Sequence, residues 1–207
     1  MLAKTPIAGR VKTRLCPPFE PAEAAELARA ALVDTLAAVA AVAATHVVAL
    51  DGVPGPWLPA GFEVVAQPSG TLDRRLAGVF SGRRGPTVLV GMDTPQVTPA
   101  LLCEALDRLG RGAGAVLGPA ADGGYWLVGL RRPDPRAFLG VPMSEPSTFA
   151  AQLERLAGLG LRTELVPELR DVDVADDAHA VASAAPDTEF ARTLARLRRA
   201  RGALVPR

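Results

Sequence analysis

The sequence contains no Asn, one Ile, one Tyr, two Cys and two Lys in 207 residues, and only 4% of it is aromatic. Cys16 and Cys103 form no CxxC pair, and the chain holds only two histidines, which excludes a disulfide framework and leaves no ligand set for a structural zinc. Reduced thiols in a cytoplasmic protein are the expectation. The start MLAKTP has no apolar stretch of the secretory type. The most apolar segment, Leu36 to Leu50, is mainly Ala and is broken by Thr45 and His46. It falls short of the roughly 18 to 20 residues that a membrane span requires, so no membrane partner is expected. Basic and acidic residues nearly cancel, 23 against 22, which removes the broad positive surface that a nucleic-acid partner needs. An anionic ligand must therefore be met locally.

What is present is an apolar fraction of 49%, enough for a sizeable core at this length. The pattern predicts a short strand at Met1–Ala3, a basic loop from Lys4 to Pro18 and a long Ala-rich helix from Glu20 to about Val42. Strands follow at His46–Leu50 and Phe62–Ala66, then a helix from about Leu72 to Phe80. The run TVLVGM at 87 to 92 reads as a strand buried on both faces of a parallel sheet. A helix capped by Thr98, strands at Ala113–Leu117 and Tyr125–Leu130, a helix begun by Ser144 or Ser147, a strand at Arg162–Val166 and a helical end from Ala175 complete it. Strands alternating with helices predict a three-layer α/β/α sandwich with a mostly parallel central sheet. With no repeat or composition break, residues 1–203 read as one domain, and Leu204–Arg207 resembles the stump of a thrombin-type tag linker.

Ligands in this architecture bind at the carboxyl ends of the strands, and the unusual residues fall there. All basic residues but Lys4 and Lys12 are Arg, the mark of a GC-rich coding bias, so an ammonium that persists points to a place that wants one. Lys4, Arg10, Lys12 and Arg14 give the first loop four cations and no acid, and Gly9 lets its backbone approach a ligand. A polyphosphate suits that loop; a solvated basic loop is the plainer alternative. Asp93 ends the most apolar strand and is a metal-ligand candidate, although an Asp at a strand end also forms turns. Asp171-Val172-Asp173, with Asp176 and Asp177, fails as a calcium loop because Ala175 and Asp176 occupy the fifth and sixth positions. It serves equally as the start of a helix. If Asp173 faces Asp93 at roughly 4 Å, the two repel by about 4 kcal/mol at an effective dielectric near 20, and a cation between them resolves it. Oxygen ligands beside a phosphate favour Mg²⁺ or Mn²⁺.

The segment from Gly118 to Leu130 gathers Asp122, Gly123, Gly124, Tyr125 and Trp126. A hairpin turn explains the glycines, and the cluster reads as one wall of an acceptor pocket whose N–H groups can meet an anion. Gln67, Gly70 and Arg75 follow the third strand and are placed to read a nucleobase edge and approach a phosphate. His46 and His179 lack partners at ligand spacing, and neither Ser144 nor Ser147 has the context of a nucleophile elbow.

AKTPIAGRVKTRL at 3 to 15, QPSGTLDRRL at 67 to 76, GMDTP at 91 to 95, GPAADGGYWLVGL at 118 to 130 and DVDVADD at 171 to 177 together resemble a bacterial family of glycosyltransferase-like transferases with the glycosyltransferase-A fold. That family is similar to the guanylyltransferases acting on phospholactate or phosphoenolpyruvate and, more distantly, to molybdenum-cofactor nucleotidyltransferases. The resemblance implies that Lys12 and Arg14 cradle phosphates, that Asp93 and Asp173 hold the metal, and that DGGYW lines the acceptor side. The sequence departs from the pattern in three places. The first strand is short or the true start lies upstream, Met92 stands before Asp93 where Ser, Asp or Gly is usual, and Pro142–Pro146 lacks a Trp.

Two reactions fit. In one, an anionic acceptor attacks the α-phosphorus of a nucleoside triphosphate and pyrophosphate leaves over the basic loop; in the other, an acceptor attacks the sugar carbon of a nucleotide-diphospho-sugar. Four cations on one loop favour the first. The partners expected are therefore a nucleoside triphosphate or nucleotide sugar and a small anionic acceptor, and the sequence leaves a homodimer open. A nucleotide-binding protein without turnover is a third reading, opposed by the retention of both carboxylates and the basic loop.

Overall fold

In the computed structural model residues 1–203 are described, and the tag-like Leu204–Arg207 lies outside them. The helices begin where the sequence supplies partners for their free N–H groups. Pro21 opens α1 (Pro21–Ala40), and Glu23 Oε2 accepts from the Glu20 N–H at 2.8 Å. Thr98 Oγ1 accepts from the Leu101 N–H at the head of α3 (Pro99–Gly110). The other helices are α2 (Leu72–Phe80), α4 (Thr148–Gly158), α5 (Ala175–Ala184) and α6 (Glu189–Ala203). Among the described residues no helix is long and apolar enough to cross a membrane.

The strands are β1 (Leu2–Lys4), β2 (His46–Asp51), β3 (Phe62–Ala66), β4 (Thr87–Val90), β5 (Ala115–Pro119), β6 (Tyr125–Leu130) and β7 (Thr163–Leu165). They form a parallel sheet in the order β1-β2-β3 and a mixed sheet in the order β4-β6-β5-β7. Within the mixed sheet β6 runs antiparallel to both neighbours, and β5 and β7 are parallel. The run at 87 to 92 is thus not a parallel strand between parallel neighbours. Residues 120–124 connect β5 to β6 directly, and a link that short makes a hairpin, since a parallel crossover needs a dozen residues or more. The two sheets meet where the Lys4 N–H donates to Met92 Sδ at 3.2 Å.

Period-2 alternation assigns the sheet faces. Val90, Val116 and Leu127 pack with Leu32, Leu36, Leu102 and Leu109 of α1 and α3. Leu89, Leu117, Val128 and Leu130 pack on the opposite side with Leu76, Phe80, Phe138 and Leu156. This gives the three layers of an α/β sandwich. A third cluster joins α1, α5 and α6 and includes Leu15, Phe19 and Val172. It holds two loops, one basic and one acidic, against the same helices.

Candidate functional site

The loop leaving β1 is shaped by its apolar residues. Val11 and Leu15 are buried, and the Leu15 N–H donates to the Lys12 carbonyl at 3.0 Å, closing a single 3₁₀ turn over Thr13–Leu15. Gly9 takes φ 73 and Lys12 takes φ 48, the left-handed region that a Lys rarely adopts. The Lys12 side chain is only 12% exposed, against 75% for Arg14.

Asp93 lies three residues beyond β4, in a turn held by buried Met92, Thr94 and Pro95, and its carbonyl accepts from the Val172 N–H at 2.9 Å. That bond brings the acidic segment after β7 beside it. Lys12 Nζ stands 3.0 Å from Asp93 Oδ1 and 4.0 Å from Asp173 Oδ1, and Arg14 bonds Asp173 Oδ2 at 2.6 Å. The two carboxylates expected to meet through a metal meet here through an ammonium. The start of α5 is capped elsewhere: Asp177 accepts from the N–H groups of Asp173 and Val174 at 3.2 and 3.0 Å, which leaves the Asp173 carboxylate to the cleft. The cleft is about 230 Å³ and is lined by Lys4, Arg10, Lys12, Arg14, Asp93 and Asp173. Lys4 leans outward to Asp51 at 3.6 Å, and Arg10 is exposed.

Asp171 is the residue that the motif pattern does not single out, since it favours Asp173. The Asp171 Oδ1 is buried without a partner. Burial, and then the nearby Asp93 and Asp122 carboxylates, push its carboxyl up to about 7, against a smaller opposing pull from Lys12. The DVD spacing carries the signal that could have found it. Alternation sends Val172 into the apolar cluster, and its two neighbours face away from that cluster together.

The structure separates the remaining candidates from the cleft to different degrees. The Gln67 amide is committed to the backbone: Nε2 donates to the Ala3 and Ala49 carbonyls at 2.7 and 3.2 Å, and Oε1 accepts from Arg75 at 3.2 Å. It braces β1, β2 and α2 and presents no free edge to a base. Arg75 keeps a buried Nε without a partner, and Gly70 turns the loop ahead of it at φ 105. Asp122 is exposed and folds back to accept from the Gly124 N–H at 2.9 Å. Gly123 takes φ 89, and a Cβ there would run into the Pro146 carbonyl oxygen. Tyr125 points into the layer of α4, its hydroxyl donating to Gln152 Oε1 at 3.1 Å, and burial raises its ionisation above the ordinary phenol value. The Tyr125 hydroxyl therefore does not stand with the turn at 122–124.

The donors suit a hard divalent cation. All are carboxylate oxygens, and an unpartnered buried oxygen of Asp171 lies behind Asp93 and Asp173. Among the described residues no three His, Cys, Asp or Glu converge on one point. Two carboxylates, with the remaining ligands supplied by phosphate and water, is the arrangement by which Mg²⁺ is usually held.

Comparison with known proteins adds the following. Residues 23–145 match the family described as uncharacterized protein conserved in bacteria (DUF2064). A structure from Desulfovibrio desulfuricans G20, described as a "putative nucleotide-diphospho-sugar transferase", is 28% identical, covers 96% of this chain and 93% of its own, and superposes with a TM-score of 0.83. CMP:2-keto-3-deoxy-manno-octonic acid synthetase complexed with CTP is 15% identical over 88% of this chain and 95% of its own, with a TM-score of 0.55. The 2-C-methyl-D-erythritol 4-phosphate cytidylyltransferase of Thermus thermophilus is 16% identical over 89% and 98%, with a TM-score of 0.54. These two share the fold. A comparison with curated proteins finds no match.

Proposed function

The chain belongs to the DUF2064 family of bacterial proteins, and from its cleft we propose that it is a metal-dependent nucleotidyltransferase, moving a nucleoside monophosphate from a nucleoside triphosphate to a small anionic acceptor. The observation that carries this reading is the meeting of Lys12 and Arg14 with Asp93 and Asp173 in a cleft that Lys4 and Arg10 also line. Four cations suit the high charge of a triphosphate, and two carboxylates are ligands for the hard divalent ion that such a substrate usually brings with it.

Asp93 and Asp173 would hold the cation, with Asp171 as a buried carboxylate behind them. A bound Mg²⁺ or Mn²⁺ supplies charge neutralisation at the phosphate oxygens and fixes their orientation. Lys12 and Arg14 bind the phosphates and stabilise the leaving pyrophosphate, with Lys4 and Arg10 at the outer edge of the loop. Gly70 and Arg75 stand on the nucleotide side, and the turn carrying the exposed Asp122 stands on the acceptor side. The acceptor attacks phosphorus, the new P–O bond forms as the bond to pyrophosphate breaks, and pyrophosphate leaves with both electrons.

A second reading, transfer from a nucleotide-diphospho-sugar, is favoured by the description of the Desulfovibrio structure. The two separate in a thermal-shift panel with Mg²⁺. Stabilisation by a nucleoside triphosphate, with pyrophosphate released on adding phosphorylated small acids, is the expected result. Stabilisation by nucleotide sugars alone would overturn nucleotidyl transfer.

A further inference from the structure

We propose that the Lys12 ammonium is a resident counter-ion, holding the cation position of the ligand-free protein and yielding it only when metal and nucleotide arrive together. The inference rests on the metal and nucleotide reading above and adds the order in which the site fills. Lys12 Nζ is within ion-pair distance of both proposed metal ligands, at 3.0 Å from Asp93 and 4.0 Å from Asp173. Unlike Lys4 and Arg14, whose side chains are 49% and 75% exposed, it is largely withdrawn from water at 12%. Its backbone is held at φ 48, ψ 39, a conformation unfavourable for any residue with a Cβ and kept only where the surroundings impose it. Buried Val11 and Leu15 flank it here.

Charge bookkeeping then fixes the consequence. Lys12 and Arg14 neutralise Asp93 and Asp173 as they stand. A bare divalent ion would have to expel the ammonium into water with no new partner, and among the described residues it finds no set of three or more ligands. A metal bound to a triphosphate brings its own oxygen ligands, and the phosphates receive Lys12 and Arg14 as these leave the carboxylates. Metal and nucleotide are therefore positively coupled, and the coupling is reciprocal. Lys12 carries it.

The test is Mn²⁺ binding to the full chain, followed by paramagnetic resonance of the free ion, with and without a nucleoside triphosphate, in wild type, Lys12→Met and Lys12→Gly. Glycine tolerates the left-handed backbone, so the second variant removes the charge and relieves the conformation at once. Both variants are expected to bind Mn²⁺ alone roughly tenfold or more tighter than wild type, a change of about 1.4 kcal/mol. Their affinity for the metal–nucleotide pair should fall by a similar factor. Wild type binding Mn²⁺ alone as tightly as the variants would overturn the inference. If wild type then still binds the pair, the proposed function survives without it; if no protein binds Mn²⁺ with or without nucleotide, both fail.

Discussion

The two sheets bring opposite charges to one cleft. The parallel sheet delivers Lys4 at the end of β1 and Arg10, Lys12 and Arg14 through the loop after it, whereas the mixed sheet delivers Asp93 and Asp173 through the segments after β4 and β7. Each half alone would be a patch of like charge, costly to hold together. Their meeting relieves both. The contrast also explains a near-neutral protein with a highly charged site: the balance of 23 basic and 22 acidic residues is compatible with local segregation by sheet.

The sharpest way to break this pairing is to remove the acidic side. Replacing both Asp93 and Asp173 by Ala should lower metal-dependent nucleotide affinity by roughly a hundredfold or more, about 2.7 kcal/mol by calorimetric titration. Unchanged affinity would place the metal elsewhere. Leu15→Ala acts on the basic side through packing, since Leu15 is fully buried beside Val172. It should cost about 2 to 5 kcal/mol in denaturant unfolding and weaken nucleotide binding as well.

Smaller effects separate residues that shape the halves from residues that meet ligand. Gln67→Leu leaves the Ala3 and Ala49 carbonyls short of a donor and should cost about 1 to 3 kcal/mol of stability. Nucleobase preference should not change, and a changed preference would make Gln67 a base reader after all. Asp171→Asn removes a buried carboxylate among like charges. Thermal melting of the metal-free protein should show a gain of about 1 kcal/mol, while the stabilisation by Mg²⁺ and nucleotide shrinks. Tyr125→Phe loses the hydroxyl's bond to Gln152 and its weaker one to Met143 Sδ, and should cost about 0.5 to 1.5 kcal/mol with the acceptor KM unchanged.

The parts legible in the sequence are those that local chemistry decides. Strand and helix positions follow from periodicity, Thr98 caps as expected, and the two lysines line one cleft, Lys12 on the loop and Lys4 at the end of β1. What escaped depends on direction. Whether Tyr125 faces the cleft or α4 is set by the register of β6 in its sheet, and nothing within DGGYW states it. The choice between Asp171 and Asp173 turns on burial, which arises only when the turn after β4 arrives beside them. The 120–124 link is too short for a parallel crossover and so carries the direction of β6, a cue that the alternation of strands and helices along the rest of the chain masks.

Met92, the residue that departs from the family pattern before Asp93, occupies the joint between the sheets. Among the described residues no backbone ladder links β1 to β4, and the hydrogen bond across that joint ends on a thioether. A carbonyl partner would lock two strands at a fixed interval, whereas sulfur on a long unbranched side chain accepts a wider range of spacings. The distance between the cationic and anionic walls thus rests in part on one side chain. A residue without an acceptor at position 92 would leave the Lys4 N–H unpaired at that seam.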